Sequence, residues 1–248
     1  MVIKLELKAD LHIHSVASGH AYSTIGEIAA AAKERGLQMV AITDHGPAMP
    51  GAPHHYHFGN LRVLPAEIGG VMVLKGVEAN IINDKGDLDL DKYYLERLDI
   101  VLAGFHTGCF KSSDMEDCTR AMLNLMENPI VDIIVHPGNP EFPLNYEAVV
   151  SKAAEKGIPL EINNSSFCGS RRGSYDNCSS IARMIAAYGG PVVIGSDAHF
   201  AADVGMFDLA VETVIAAGIS EEQVLNTSVE KVVTYLRRKK TNKGDAIE

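Results

Sequence analysis

Residues 7–14 read Leu7-Lys8-Ala9-Asp10-Leu11-His12-Ile13-His14, an aliphatic run that ends in two histidines one residue apart. The run Leu7–Ile13 predicts a strand. The next apolar pattern, Ile25–Arg35, has helical spacing and stops at Gly36, a residue suited to the position just past a helix. Met39–Thr43 returns to a strand pattern, so the opening of the chain reads β-α-β. The alternation continues to the end. Further strands are predicted at Val71–Ile81, Ile100–Phe105, Ile130–Val135, Pro159–Ile162 and Val192–Gly195. Helices are predicted at Leu61–Ile68, Met115–Glu127, Tyr146–Lys156, Ser180–Tyr188, Val204–Ala217 and Val229–Lys240. Repetition at this length implies parallel strands joined by right-handed crossovers. Seven such units fall one short of a standard (β/α)8 barrel. An open doubly wound sheet is the competing architecture.

Composition narrows the class. Apolar residues make up 46% and charged residues 22%, which excludes a disordered chain. At 248 residues, roughly 70–75% of the unfolded surface can be lost on folding. No linker, repeat or low-complexity tract divides the sequence, and it reads as one domain over residues 1–248. No run approaches the ~20 apolar residues of a membrane span. Lys4, Glu6 and Lys8 interrupt the N-terminal segment, which does not read as a signal peptide. Cys109, Cys118, Cys168 and Cys178 lack CxxC spacing and are too few for a disulfide scaffold, so a reduced, cytoplasmic protein is expected. On that expectation the sequons at Asn164 and Asn226 are chance matches. The net charge of −10 argues against an extended nucleic-acid surface. Arg237-Arg238-Lys239-Lys240 reads as a solvated helix end.

Ten histidines share the chain with no tryptophan. Six of them, His12, His14, His45, His106, His136 and His199, fall at or just past the C-terminal end of a predicted strand. Glu78 and Asp197 occupy matching positions, and His20 follows in the first loop. That edge is where barrels and open α/β sheets build their sites. A period of two puts Asp10, His12 and His14 on one face, with Asp10 placed to orient a ligand from one pleat deeper. A lone strand-end histidine is usually a hydrogen-bonded residue. Six at one edge with two carboxylates are better satisfied together by metal, because neutral imidazole is a common ligand. Nine donors exceed the three or four of one tetrahedral zinc, which implies two or three ions of zinc, manganese or iron.

These residues carry a family resemblance. Asp10-Leu11-His12-Ile13-His14-Ser15-Val16-Ala17-Ser18 with His20 resembles the first motif of the PHP (polymerase and histidinol phosphatase) superfamily. Ile42-Thr43-Asp44-His45-Gly46 resembles the second. Val77-Glu78-Ala79-Asn80, Gly104-Phe105-His106, Val135-His136-Pro137-Gly138-Asn139-Pro140 and Gly195-Ser196-Asp197-Ala198-His199 supply the rest in order. Ala52–Phe58 and Leu160–Ser166 are similar to the YcdX-like phosphatase group, and the resemblance runs from about Ala9 to Leu236. It implies a distorted (β/α)7 barrel, a trinuclear centre usually of zinc, and phosphatase activity. On that resemblance His12, His14, Glu78 and Asp197 hold one ion, and His20, His45 and His199 a second. Glu78 bridges to a third, held also by His106 and His136. A homo-oligomer, commonly a trimer, is implied by the resemblance alone.

Three such ions carry about +6 and two carboxylates offset about −2, leaving a positive mouth in an acidic protein. A small phosphate monoester fits that field. A metal-bound hydroxide is the expected nucleophile, with the ions holding the non-bridging oxygens. Asp197, His199 and a coordinated water are each placed to protonate the leaving group. A phosphodiesterase or exonuclease of the same superfamily, and a non-catalytic metal-binding protein, are the alternatives. Arg171 and Arg172, in Ser170-Arg171-Arg172-Gly173, are candidate phosphate clamps. The segment Met49–Phe58 reads as a lid whose His54, His55 and His57 contact substrate or loop. Asp44 reads as an orienting or capping residue, and Asn163 and Asn164 as substrate contacts or turn formers. Met122, Leu125 and Met126 read as helix core.

Overall fold

In a computed structural model, residues 5–168 and 171–244 are described, with side chains as far as residue 238. The elements run β1 (Ala9–Ile13), α1 (Ile25–Glu34), β2 (Met39–Ile42), α2 (His55–Asn60), β3 (Glu67–Ile68), β4 (Val71–Asn80), α3 (Lys92–Leu95) and β5 (Ile100–Gly104). They continue with α4 (Met115–Leu125), β6 (Ile133–Ile134), α5 (Tyr146–Lys156), β7 (Leu160–Asn163), α6 (Ser174–Tyr188), β8 (Val192–Gly195), α7 (Asp208–Ala216) and α8 (Val229–Gly244). Seven strands lie parallel in the order β1-β2-β4-β5-β6-β7-β8, and β3 pairs antiparallel with β4. The sheet nearly closes on itself as a distorted (β/α)7 barrel. The open doubly wound alternative is excluded by the seam, where Ile13 bridges to Ala198 past the end of β8.

Two layers hold the barrel. Leu11, Met39, Ala41, Ile100, Leu102 and Val193 fill its interior, and Val232 and Leu236 of α8 cover the end opposite the histidines. Outside, Ile42, Ile134, Ile162 and Ile194 pack on the helices in one cluster with Ile28, Met122, Leu125 and Met126. Each such side chain contributes about 1.5–3 kcal/mol on burial. The α4 stripe is helix core, as its spacing predicts.

Three local readings change. The segment Leu61–Ile68, expected as a helix, is instead a single turn at Leu61–Val63 followed by β3. Pro65 interrupts a helix there, and Gly69-Gly70, both with positive φ, make a two-residue hairpin into β4. The helix lies earlier, at α2, in the segment expected as a lid loop. In β1, Asp10 opposes Val40 while Ile13 opposes Ile42, three residues against two. This β-bulge breaks the alternation on which Asp10 was placed with His12 and His14.

The seam opposite the histidines is filled by one side chain. Buried Asn226 donates from Nδ2 to the carbonyls of Ala9 and Ile194, each at 2.8 Å, and accepts from Ile194 N–H at 3.2 Å. It takes the part of a missing eighth strand between β1 and β8. No helix among the described residues is long and apolar enough to cross a membrane.

Candidate metal centre

The C-terminal strand ends converge. β1 brings His12 and His14, the residues after β2 bring His45, and β4 brings Glu78. The turns after β5, β6 and β8 bring His106, His136, Asp197 and His199. All but His199 are buried. Glu78 is central. Its Oε1 lies 2.6 Å from His136 Nε2, 3.0 Å from His106 Nε2 and 3.3 Å from His12 Nε2. Its Oε2 lies 2.8 Å from His45 Nδ1 and 3.4 Å from His14 Nε2. Asp197 Oδ1 stands 3.2 Å from His14 Nε2 and 3.5 Å from His12 Nε2.

Four sets of three donors lie close enough to share an ion: His12–His14–Asp197, His12–Glu78–His136, His14–His45–His199 and His45–Glu78–His106. His20 belongs to none of them. It is half-buried, with its ring centroid 5.0 Å from His45 and 4.9 Å from His199.

His12 Nε2, His14 Nε2, His45 Nδ1, both ring nitrogens of His106, Glu78 Oε2 and Asp197 Oδ1 are buried without a hydrogen-bond partner. For His14 the tautomer follows from its surroundings. Ser18 gives its hydroxyl proton to Asp44 at 2.7 Å, so it accepts from His14 Nδ1–H at 3.2 Å. The His14 Nε2 lone pair therefore faces carboxylate oxygens. Acceptors aimed at acceptors in a buried space are satisfied by a cation placed between them. The donor set is nitrogen and oxygen, which suits zinc, manganese or iron. These residues fit a metal.

The electrostatics divide the rings: burial opposes ionisation of His12, but Glu161, Glu78 and Asp197 outweigh it and hold that imidazole well above its ordinary range. Burial, with the neighbouring His45, pushes the His14 imidazole down to about 3, and burial with nearby Arg171 pushes His136 down to about 4. Both rings are neutral at pH 7 and keep a free lone pair. Burial opposes ionisation of Glu78, yet His106, His12 and His45 outweigh it and hold the carboxyl well below its ordinary range. Asp197 is held down in the same way by His12 and Arg171 against the effect of burial. Among the described residues, His136 (φ 33°) and Asp197 (φ 56°) are the non-glycine residues in the left-handed region. Such backbone costs about 1–3 kcal/mol each and collects at functional sites.

Beside the cluster opens a cavity of about 530 Å³, with His20, His45, His106, Arg171, Asp197 and His199 in its wall. Arg171 is 14% exposed, with Nη1 2.9 Å from Asp197 Oδ2. Arg172 is exposed and does not line the cavity. Asn163 is buried and donates to Asp197 at 3.3 Å, whereas Asn164 accepts from Ala210 N–H and holds α7. Asp44 orients neighbours as expected, accepting from Ser15 N–H at 2.7 Å and from the hydroxyls of Ser15 and Ser18. His57 of α2 reaches it, with Nε2 3.3 Å from Oδ2, while His54 and His55 are exposed.

Asp10 does not orient a ligand ring. Past the bulge its carboxylate accepts from Ser196 N–H at 3.2 Å and Gly205 N–H at 2.9 Å, and so shapes the loop that carries Asp197. The residue that touches a ligand ring in this way is Glu161 on β7, whose Oε1 is 2.8 Å from His12 Nδ1. The sequence offered one signal for it, a carboxylate amid the apolar run of a buried strand.

Fold and donor set define a class, the α/β barrels that gather histidines and carboxylates for metal at their C-terminal strand ends. Residues 10–135 match the PHP domain, and the chain belongs to the PHP domain family. It is 53% identical over 237 residues to a probable phosphatase of Syntrophotalea carbinolica, covering 95% of this chain and 98% of that one. It is 51% identical to a probable phosphatase of Thermoanaerobacter sp. strain X514, covering 97% and 98%. Among solved structures it is similar to histidinol phosphate phosphatase from Lactococcus lactis in complex with zinc, L-histidinol and phosphate. That match has a TM-score of 0.60 at 16% identity and covers 86% of this chain and 94% of the other.

Proposed function

We propose that this chain is a metal-dependent phosphatase that hydrolyses small phosphate monoesters. The observation that carries the reading is the set of buried, unpartnered lone pairs around Glu78, directly below an open cavity walled by one guanidinium. Relatives at 51–53% identity are named probable phosphatases, and the structurally similar Lactococcus enzyme was solved with zinc and phosphate.

His12, His14, His20, His45, Glu78, His106, His136, Asp197 and His199 would hold three divalent ions, zinc being the first candidate. When bound, the ions supply a hydroxide nucleophile near neutral pH and positive charge against the phosphoryl oxygens. The chain's own residues do the rest. Arg171, fixed by Asp197 and with its free edge toward the cavity, pairs with a phosphate oxygen. Asn163 holds the Asp197 carboxylate for that pairing. The cavity, at about 530 Å³, suits a small metabolite, and a protein of net charge −10 disfavours longer polyanions.

Steady-state rates on p-nitrophenyl phosphate and bis-p-nitrophenyl phosphate test the reading. Monoester preference is expected, and Arg171→Ala is expected to lower kcat/KM by about 10–100-fold, the loss of one charged hydrogen bond. Preference for the diester would favour a phosphodiesterase. Full metal occupancy without turnover of either ester would favour a binding protein.

A further inference from the structure

Strand β7 is the one interior strand of the barrel that contributes none of the nine donors. Its buried Glu161 nevertheless receives three hydrogen bonds from the site. His12 Nδ1 lies 2.8 Å from Oε1, the His136 N–H donates to Oε2 at 2.9 Å, and Asn163 Nδ2 donates to Oε2 at 3.1 Å. A carboxylate only accepts, so His12 carries a proton on Nδ1, and Nε2, which faces Glu78 and Asp197, is the nitrogen left for a metal. The His136 N–H belongs to a residue with φ 33°, so the same carboxylate pins a left-handed turn. The neighbouring strand leaves room for this. A Cβ added to Gly195 would fall on Glu161 Oε1 and come within 3.1 Å of His12 Cβ.

The structure assigns Glu161 as a positioning residue that holds His12 and His136 together, so that one carboxylate outside the donor set tunes the binding of metal on both sides of Glu78. The assignment rests on the metal-centre reading above. Glutamine cannot replace it. Three donors meet two acceptor oxygens, and an amide puts an NH2 group against either His12 Nδ1–H or the His136 N–H. In the first case the imidazole changes tautomer and its Nε2 lone pair is lost. In the second the His136 turn is released.

Competition of the zinc-loaded protein against a chelator tests this in wild type and Glu161→Gln. The variant is expected to hold its most weakly bound zinc about 10–100-fold less tightly, as for other partners of ligand histidines. Excess zinc is expected to restore most of kcat while leaving the KM for p-nitrophenyl phosphate near the wild-type value. A chelator titration identical to wild type would overturn the assignment. The tautomer is read in the wild type itself, so the test survives a variant that fails to fold. In ¹¹³Cd-loaded, ¹⁵N-labelled protein, cadmium is expected to couple to His12 Nε2, with Nδ1 protonated. Coupling through Nδ1 would overturn the role of Glu161. Wild-type protein that binds neither zinc nor cadmium would instead bring down the metal-centre reading on which the assignment stands.

Discussion

A neutral imidazole has one N–H and one lone pair, so whatever Nδ1 touches decides what Nε2 can do. In this barrel Ser18 takes the His14 Nδ1–H and passes its own proton to Asp44, while Glu161 stands against His12 Nδ1. Both rings therefore present Nε2 to Glu78 and Asp197. The carboxylate of Glu78 faces five imidazoles through two oxygens. Glu78→Gln is expected to lose at least one ion per chain and to cut turnover below detection; a variant with normal metal content and near-normal rate would contradict the shared-ligand reading. Asp44 gives a prediction in pH. Burial alone would raise its carboxyl, but His57, His14, Ser18 and Ser15 outweigh burial and hold it at about 2, below its ordinary 3.8. The folded value is the lower one, so the stabilisation is complete above pH 4 and is lost as pH falls through about 2. It is worth about 2 kcal/mol. Urea unfolding of metal-free protein between pH 4 and pH 2 should show a shallower loss of stability in Asp44→Asn than in wild type. An unchanged slope would mean Asp44 is not held in this way.

Elements were legible where pattern and geometry share a period. The parallel strands and the helices α1, α4 and α5 fall where the aliphatic runs and helical spacing put them. Boundaries moved where tertiary contacts decide, as at β6, which keeps two of the six residues predicted over Ile130–Val135. The Gly69-Gly70 hairpin and Pro65 were present in the sequence, but an apolar stretch of that length is ambiguous between helix and strand. The bulge in β1 had no signal at all, since an extra residue in one strand shows only against its neighbour's register. The histidines of the site could be read from their strand-end placement, and Asp44 as an orienting residue, while the contacts of Ser18 and Glu161 with His14 and His12 could not. Asn226 was equally hidden, because its role exists only where β1 and β8 meet. Asn226→Ala leaves buried backbone groups of Ala9 and Ile194 without partners. It is expected to cost about 2–4 kcal/mol in chemical denaturation. A loss under 0.5 kcal/mol would show that water or a neighbour fills the seam.

At the scale of the whole molecule, acceptor atoms are concentrated at one end of a barrel whose other end is closed by α8. Carboxylates and lone pairs crowded there repel one another until cations arrive, so metal binding and folding stability are linked. Each ion contributes about 2.7 kcal/mol when free metal stands at a hundred times its dissociation constant. Stripping the metal with a chelator is therefore expected to lower the melting temperature, and zinc to restore it. A melting curve indifferent to both would separate the cluster from stability. The central claim is that the Glu78-centred cluster holds several ions, and counting them tests it most directly. Protein purified without added metal or chelator, then reconstituted with zinc, would be measured by inductively coupled plasma mass spectrometry, with anomalous diffraction to locate each ion. Three ions per chain around Glu78 are predicted; a chain that holds one ion or none would contradict the account.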